Sequence, residues 1–308
     1  MRCRQELLLP SAGALVVLAA CGTTAWSGQQ SHRGPLANAA GFRLIVDDEN
    51  SQPVLRIVLP GREESDRTIE VIFPEHVTAR RRGVANAEQL YLFRPGSLGR
   101  RPAWRDHGQS VEYDMELAAQ VQLLARATLE DDGVRFHYEF RNRSTTAYDM
   151  IYAVTDPRLT SIFHDERLER TYVHHGDGFD LLASETPGRL SMPFSEWLPA
   201  RYLASFTWPV PSQRVERRSD GITYYNKSRA VDEPWIATLS TDRTWVVASF
   251  AREPGNVWSN PQLTCQHVDP QAALAAHGTA TTEIKVLIVR GSLADVRERV
   301  VAQRATLK

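Results

Sequence analysis

Three cysteines in 308 residues leave little scope for a fold held by disulfides. Charge is nearly balanced: 36 basic and 37 acidic residues give a formal net charge of −1. A chain without a strong positive balance is a poor nucleic-acid binder, so no nucleic acid is expected as a partner. Signature motifs are also missing. There is no G-x-G-x-x-G, no P-loop, no H-E-x-x-H and no paired C-x-x-C, which argues against nucleotide chemistry and the common zinc sites. Gly96-Ser97-Leu98-Gly99 is not the G-x-S-x-G elbow of a serine hydrolase. No fixed-period repeat occurs, which argues against propellers and solenoids. No apolar run reaches the roughly 20 residues of a membrane span. Neither a metal nor a cofactor is expected.

The N-terminus is the most specific segment. Arg2 and Arg4 precede an apolar stretch, Leu7 to Ala20, that ends in small residues. This is the order of a secretory leader. Leu18-Ala19-Ala20-Cys21 resembles the lipobox of bacterial lipoproteins. That resemblance implies cleavage before Cys21, a lipid on its sulfur and export to the cell envelope. Gly22 after the cysteine implies the periplasmic face of an outer membrane. Residues 1–20 are therefore expected to be a signal peptide, and the membrane a partner through the lipid anchor. Residues 21–41, rich in Gly, Ser, Gln and Ala, read as a flexible tether. Cys3 leaves with the leader and Cys21 is acylated, so Cys265 has no partner for a disulfide.

Residues 42–308 read as one domain dominated by strands. Val134, Phe136, Tyr138 and Phe140 alternate with Arg135, His137, Glu139 and Arg141. Period two buries one face and exposes the other. Asp131-Asp132-Gly133 separates this strand from the run ending at Leu129, and Asp-Gly supplies a tight hairpin turn. Strands are also expected at 42–46, 54–59, 68–73, 147–154, 170–174, 202–208, 222–225, 235–239, 245–251 and 281–290. From Val286 the last of these is apolar on both faces, as in a central strand. Residues 85–92 read as a short helical turn. One longer helix, 292–306, starts at a capping signal, Ser292 with Asp295, and carries Leu293, Val296, Val300 and Val301 on one face. The fold class is all-β: a large antiparallel sandwich closed by a C-terminal helix.

The hairpin from Leu129 to Asn142 resembles hairpins of the galactose-mutarotase-like supersandwich. That fold is used by many carbohydrate-active enzymes and sugar epimerases. The stretch Asn256 to Asn260, then Cys265 to Pro270, then the strand into Arg290-Gly291-Ser292-Leu293, is similar to a group of uncharacterised exported bacterial proteins and implies no reaction. The first resemblance implies a His acid and a Glu base across a sugar ring. His174, His175 or His267 would be the acid, and Glu185 or Asp269 the base.

The residues themselves leave several readings open. His174, His175, His267 and Asp269 are the candidate catalytic groups, being acid–base types gathered in two short segments. Arg170, Tyr172, Asp177 and Trp258 are the candidate ligand-binding groups, with Trp258 in a loop-like setting suited to stacking on a sugar. His174, Asp177, His267 and Asp269 also suit a metal, and Gly176-Asp177-Gly178-Phe179-Asp180 a calcium ion, although both patterns lack a ligand spacing that specifies them. The arginines between 80 and 105 suit anionic groups, but a solvated surface explains them more simply. Carbohydrate recognition leads. Sugar mutarotation, epimerisation or lysis on the same groups is the alternative, and a non-enzymatic envelope scaffold the third. Whether the chain is an enzyme stays open. The first two readings need the four catalytic candidates to meet in one cleft.

Overall fold

The computed structural model describes residues 34–308 except 48, 67, 94–100 and 119. The leader, Cys21, Arg94, Ser97 and Arg100 lie outside the described residues, as does most of the tether. Residues 34–308 form one compact unit.

The hairpin forms where its alternation requires. Strands Val121–Glu130 and Gly133–Asn142 pair antiparallel along their whole length around Asp131-Asp132. Val134, Phe136, Tyr138 and Phe140 are fully buried, each contributing about 1.5–3 kcal/mol. Gly133 is needed because the next strand comes so close. Its φ is +148°, and a Cβ there would lie 2.0 Å from the Val286 carbonyl oxygen.

That neighbour, Thr279–Arg290, runs between Gly133–Asn142 and Trp245–Ala251 at the centre of a nine-stranded sheet, as its two apolar faces require. A seven-stranded sheet is built on Ile69–Arg81 and Tyr148–Leu159 and packs against one face of it. Their shared core holds Phe73, Tyr113, Phe136 and Tyr138. Further along, Ile236, Ala251 and Ile284 of the nine-stranded sheet share a second core with Tyr202, Val257 and Val268. The last three belong to a five-stranded sheet in the order Val215–Arg217, Thr223–Asn226, Arg201–Ser205, Pro254–Ser259, His267–Pro270. One of its pairings, Arg201–Leu203 with Tyr224–Asn226, is parallel in an otherwise antiparallel fold.

The helix Leu293–Gln303 covers the outer face of the nine-stranded sheet, packing Val296 and Val300 on Trp235, Ala237, Val246 and Leu287. Ser292 and Asp295 cap it reciprocally, as the sequence predicts. No described helix is long and apolar enough to cross a membrane.

The all-β sandwich with one long C-terminal helix is thus the observed fold, with differences in detail. Residues 85–92 hold no helical turn: Glu88–Leu90 is a strand on Val77–Ala79, because an open sheet edge offers ladder bonds that an isolated turn lacks. The strand expected at 68–73 runs on to Arg81 and carries Glu75 and His76 into the interior.

Candidate functional site

Where the seven- and five-stranded sheets meet, side chains enclose a cleft of about 350 Å³. Glu75, His76 and Tyr152 come from the first sheet, and Arg201, Tyr224, Asn256, Trp258 and Asp269 from the second. Trp208 forms part of the wall. It lies flat on Gly255, where a Cβ would come within 2.1 Å of the indole. That approach explains how Gly255 and Asn256, poor strand formers, sit inside Pro254–Ser259.

Trp258 therefore stands on a strand, not in a loop, directly opposite His267. The two rings stack with centroids 3.7 Å apart and planes 6° apart. The Arg201 guanidinium lies over the indole, 5.6 Å from its centroid. The Trp258 ring N–H donates to Asp269 Oδ2 at 3.0 Å. Trp258 thus clamps the floor of the cleft rather than offering a free face.

Below the clamp, His267 Nε2 lies 3.2 Å from Asp156 Oδ1, both side chains 2% exposed. Asp156 also accepts from Arg158 Nε at 2.6 Å. Burial opposes charge on His267, but Cys265 and Asp156 outweigh it and hold the imidazole protonated well above its ordinary range. Burial likewise pushes Asp156 up, and His267 and Arg158 hold it below the ordinary carboxylate range. Asp156, Cys265 and His267 bring their ligand atoms within 4.8 Å of one another, so these three could hold a metal ion, in competition with the His267 proton.

Two carboxyls of the cleft, Asp269 and Glu75, are shifted in opposite senses. Burial pushes Asp269 above the ordinary carboxylate range, against the pull of His267 and the Trp258 N–H. Glu75 is pushed up by burial too, but His76 and His267 outweigh that and hold it below the ordinary range. Three buried atoms around the cleft have no hydrogen-bond partner among the described residues: His76 Nδ1, Asn256 Oδ1 and Asp269 Oδ1. A buried polar atom without a partner costs about 1–3 kcal/mol.

Of the candidates named from sequence, the cleft unites Asp269 and Trp258, with His267 stacked beneath. Its lining does not include His174, His175, Arg170, Tyr172 or Asp177. These belong to other neighbourhoods. His174 Nδ1 meets Asp232 at 2.6 Å and packs by Phe179 and Trp235. His175 Nδ1 meets the Ala230 carbonyl at 3.0 Å. Arg170 binds the backbone oxygens of Ile162, His164 and Leu239, fixing a loop. Tyr172 packs against the core under the C-terminal helix. Asp177 pairs with Arg229 and Asp180 with Lys227, so cations already engage the carboxylates of the calcium reading. Glu185 pairs with Lys227 at 3.3 Å.

Sequence reasoning missed Glu75, His76, Asp156, Arg201 and Asn256. Glu75-His76 and Thr155-Asp156 each follow directly on an apolar run, Val71 to Pro74 and Met150 to Val154, within one strand. Those polar pairs were the available signal. A larger groove, about 750 Å³, opens between the hairpin tip and the C-terminal helix, but its charges satisfy one another: Lys285 bonds Glu130 at 2.7 Å, Asp132 at 2.5 Å and Gln303 at 2.6 Å.

No protein-family model matches the chain, and no curated protein matches it in sequence. Among solved structures it is similar to the Slr1438 protein of Synechocystis, with a TM-score of 0.48 and 9% identity over 84% of this chain and 96% of that one. A galactose mutarotase-related enzyme from Lactobacillus acidophilus gives 0.48 and 8% over 84% and 98%. A galactose mutarotase-like protein from Lactobacillus casei gives 0.45 and 11% over 83% and 99%.

Proposed function

We propose that the cleft between the seven- and five-stranded sheets recognises a carbohydrate. The observation that carries this reading is that three residues lining one concave site, His76, Asn256 and Asp269, each hold a buried polar atom without a hydrogen-bond partner among the described residues. A sugar offers hydroxyls that both donate and accept, and so satisfies such atoms together. Tyr91, Tyr224 and Trp208 supply the apolar walls that ring C–H groups need. The volume lies within the range of small-molecule sites.

The test is calorimetry and thermal shift against mono- and oligosaccharides. Binding that weakens about tenfold in Asn256→Ala supports the reading, since a hydrogen bond to a neutral group is worth roughly 0.5–1.5 kcal/mol. No heat and no shift from any saccharide would falsify it.

A second reading, proton transfer on the bound sugar, is favoured by the opposite shifts of Asp269 and Glu75. Asp269, retaining its proton, gives it to the ring oxygen. Glu75, ionised, takes the proton of the anomeric hydroxyl, and the ring opens. The pair then reverses roles on closure from the other face. Polarimetry of a freshly dissolved aldose reads this directly. Glu75→Gln should slow it about a hundredfold or more, within the ordinary range for a general base.

The envelope location belongs to the same proposal and rests on residues 1–21 alone. An alkyne fatty acid fed to cells should label the chain and fail to label Cys21→Ser.

A further inference from the structure

The cleft reading leaves one charge unexplained. Arg201 lines the cleft and is half-buried. Its Nη1 donates to the Pro199 carbonyl at 2.9 Å, and its guanidinium lies over Trp258. It meets no carboxylate among the described residues, whereas Arg158 and Arg170, also half-buried, meet Asp156 and Asp165. A guanidinium has five N–H donors, and Arg201 has one of them engaged within the protein. A second cation, Arg218, stands at the same end of the cleft, its guanidinium 3.7 Å over the Tyr224 ring. It is more exposed and bonds Glu216 at 3.2 Å. Asp220 is the carboxylate that faces this end, 3.5 Å from the Tyr224 hydroxyl. Glu75 comes from the seven-stranded sheet across the cleft, and Asp269 from the floor strand, bonded to the Trp258 indole.

We infer that the saccharide is anionic, with its negative substituent held by Arg201 and its ring over Glu75 and Asp269. This rests on the carbohydrate reading and adds substrate class and orientation. The Pro199 carbonyl and the Trp258 ring hold the guanidinium at the cleft, and its planar fork can bind two oxygens of one carboxylate or one phosphate ester in parallel. Arg218 adds attraction that salt screens, because it is exposed. Glu75, on the other sheet and held ionised, disfavours the reverse orientation.

The experiment is calorimetry of the full chain with galactose, galacturonate, glucose and glucose 6-phosphate, repeated with Arg201→Gln and Arg201→Lys. Each variant is first shown to melt like the parent. In the parent, an anionic sugar should bind about tenfold or more tighter than its neutral counterpart, the scale of a hydrogen bond to a charged group. Arg201→Gln should remove that preference, bringing the anionic and neutral sugars to within about twofold of each other. Arg201→Lys should keep part of it, since charge remains and the fork is lost. A larger gain for the phosphate ester than for the uronate identifies a phosphate as the substituent; the opposite identifies a carboxylate. Equal affinity for neutral and anionic sugars overturns the inference and leaves carbohydrate recognition standing, as does a preference that survives in Arg201→Gln. No binding of any of the four overturns both.

Discussion

Asp156→Asn keeps the shape of a buried side chain and removes its charge. The partner left behind is the His267 imidazolium, 3.2 Å away and 2% exposed. Water cannot reach it, so its charge keeps only Cys265 and the face of the Trp258 ring as partners. Removing one member of a buried pair costs about 3–5 kcal/mol, against roughly 0–1 kcal/mol for a surface pair. Arg158 also loses a bond, but its side chain is 27% exposed and water replaces part of that loss. The expected loss, about 3–5 kcal/mol in urea unfolding at pH 7, therefore comes mainly from His267. His267→Gln should be costly for the mirror reason. The double variant should cost less than the two singles together, because no unpaired charge is left at the His267 position.

The pair also gives stability a defined pH dependence. His267 has a folded pKa above its unfolded value of about 6.5. Its contribution is complete below about pH 6.5 and is lost as pH rises through the folded value. Asp156 has a folded pKa below its unfolded value of about 3.9. Its contribution is complete above that value and is lost as pH falls through the folded one. The pair therefore stabilises most between about pH 4 and 6.5, and stability should decline on the alkaline side. Asp156→Asn should flatten that decline, and a pH titration of the His267 ring by NMR should show its pKa fall. A variant within about 1 kcal/mol of the parent, with the alkaline slope intact, would refute the reasoning.

Three further outcomes follow from the packing. Gly255→Ala should destabilise by about 1–3 kcal/mol and perturb sugar binding, because the new Cβ falls 2.1 Å from the Trp208 indole and the cleft wall must move; chemical denaturation and calorimetry read both. Lys285→Met should cost about 2 kcal/mol in urea unfolding, since Glu130 and Asp132 lose their shared ammonium but stay 26% and 15% exposed and keep other cations. Ser292→Ala should cost about 1 kcal/mol by removing the reciprocal cap of the C-terminal helix, detectable as earlier amide exchange in Leu293–Gln303.

The hairpin, the central strand and the capped helix were legible because each is specified by its own residues: an alternation, a two-faced apolar run and a Ser–Asp pair. The site was only half legible. His267, Asp269 and Trp258 stood out by residue type, yet the stack between them depends on pairing Pro254–Ser259, which read as loop-like around Trp258, with His267–Pro270, a segment not among the expected strands. Strand formation there is set by Trp208 packing on Gly255 and by neighbouring strands, not by local propensity. Glu75 and Asp156 were overlooked because both lie beyond the ends expected for their strands, at 73 and 154, which run on to Arg81 and Leu159. Both strands lie paired side by side in the seven-stranded sheet, and their polar residues face a third sheet that no local pattern reveals. His174 and His175 drew attention as adjacent histidines, but alternation sends neighbours to opposite faces, and each finds its own partner.

The short segment from Cys265 to Asp269 makes the junction of the three sheets possible, and its alternation explains how. Residues 265, 267 and 269 turn to one side, where Cys265 and His267 meet Asp156 and Asp269 meets Trp258. Gln266 turns to the other and is held by Ser249 Oγ at 3.0 Å, Thr238 Oγ1 at 2.9 Å and the Val247 carbonyl at 3.1 Å, all in the nine-stranded sheet. Its backbone N–H donates to the Pro157 carbonyl in the seven-stranded sheet at 3.0 Å. One residue thus fixes the strand to two sheets while its neighbours serve the third. An apolar junction would hold the sheets as well or better, since replacing a buried ion pair by packed hydrocarbon is often neutral or stabilising. Stability alone does not account for an ion pair, a cysteine and a further buried carboxyl at this point. They account for themselves if the junction must present Asp269 and Trp258 to the cleft in one orientation, with His267 as the rigid plate beneath and Gln266 as the bolt behind.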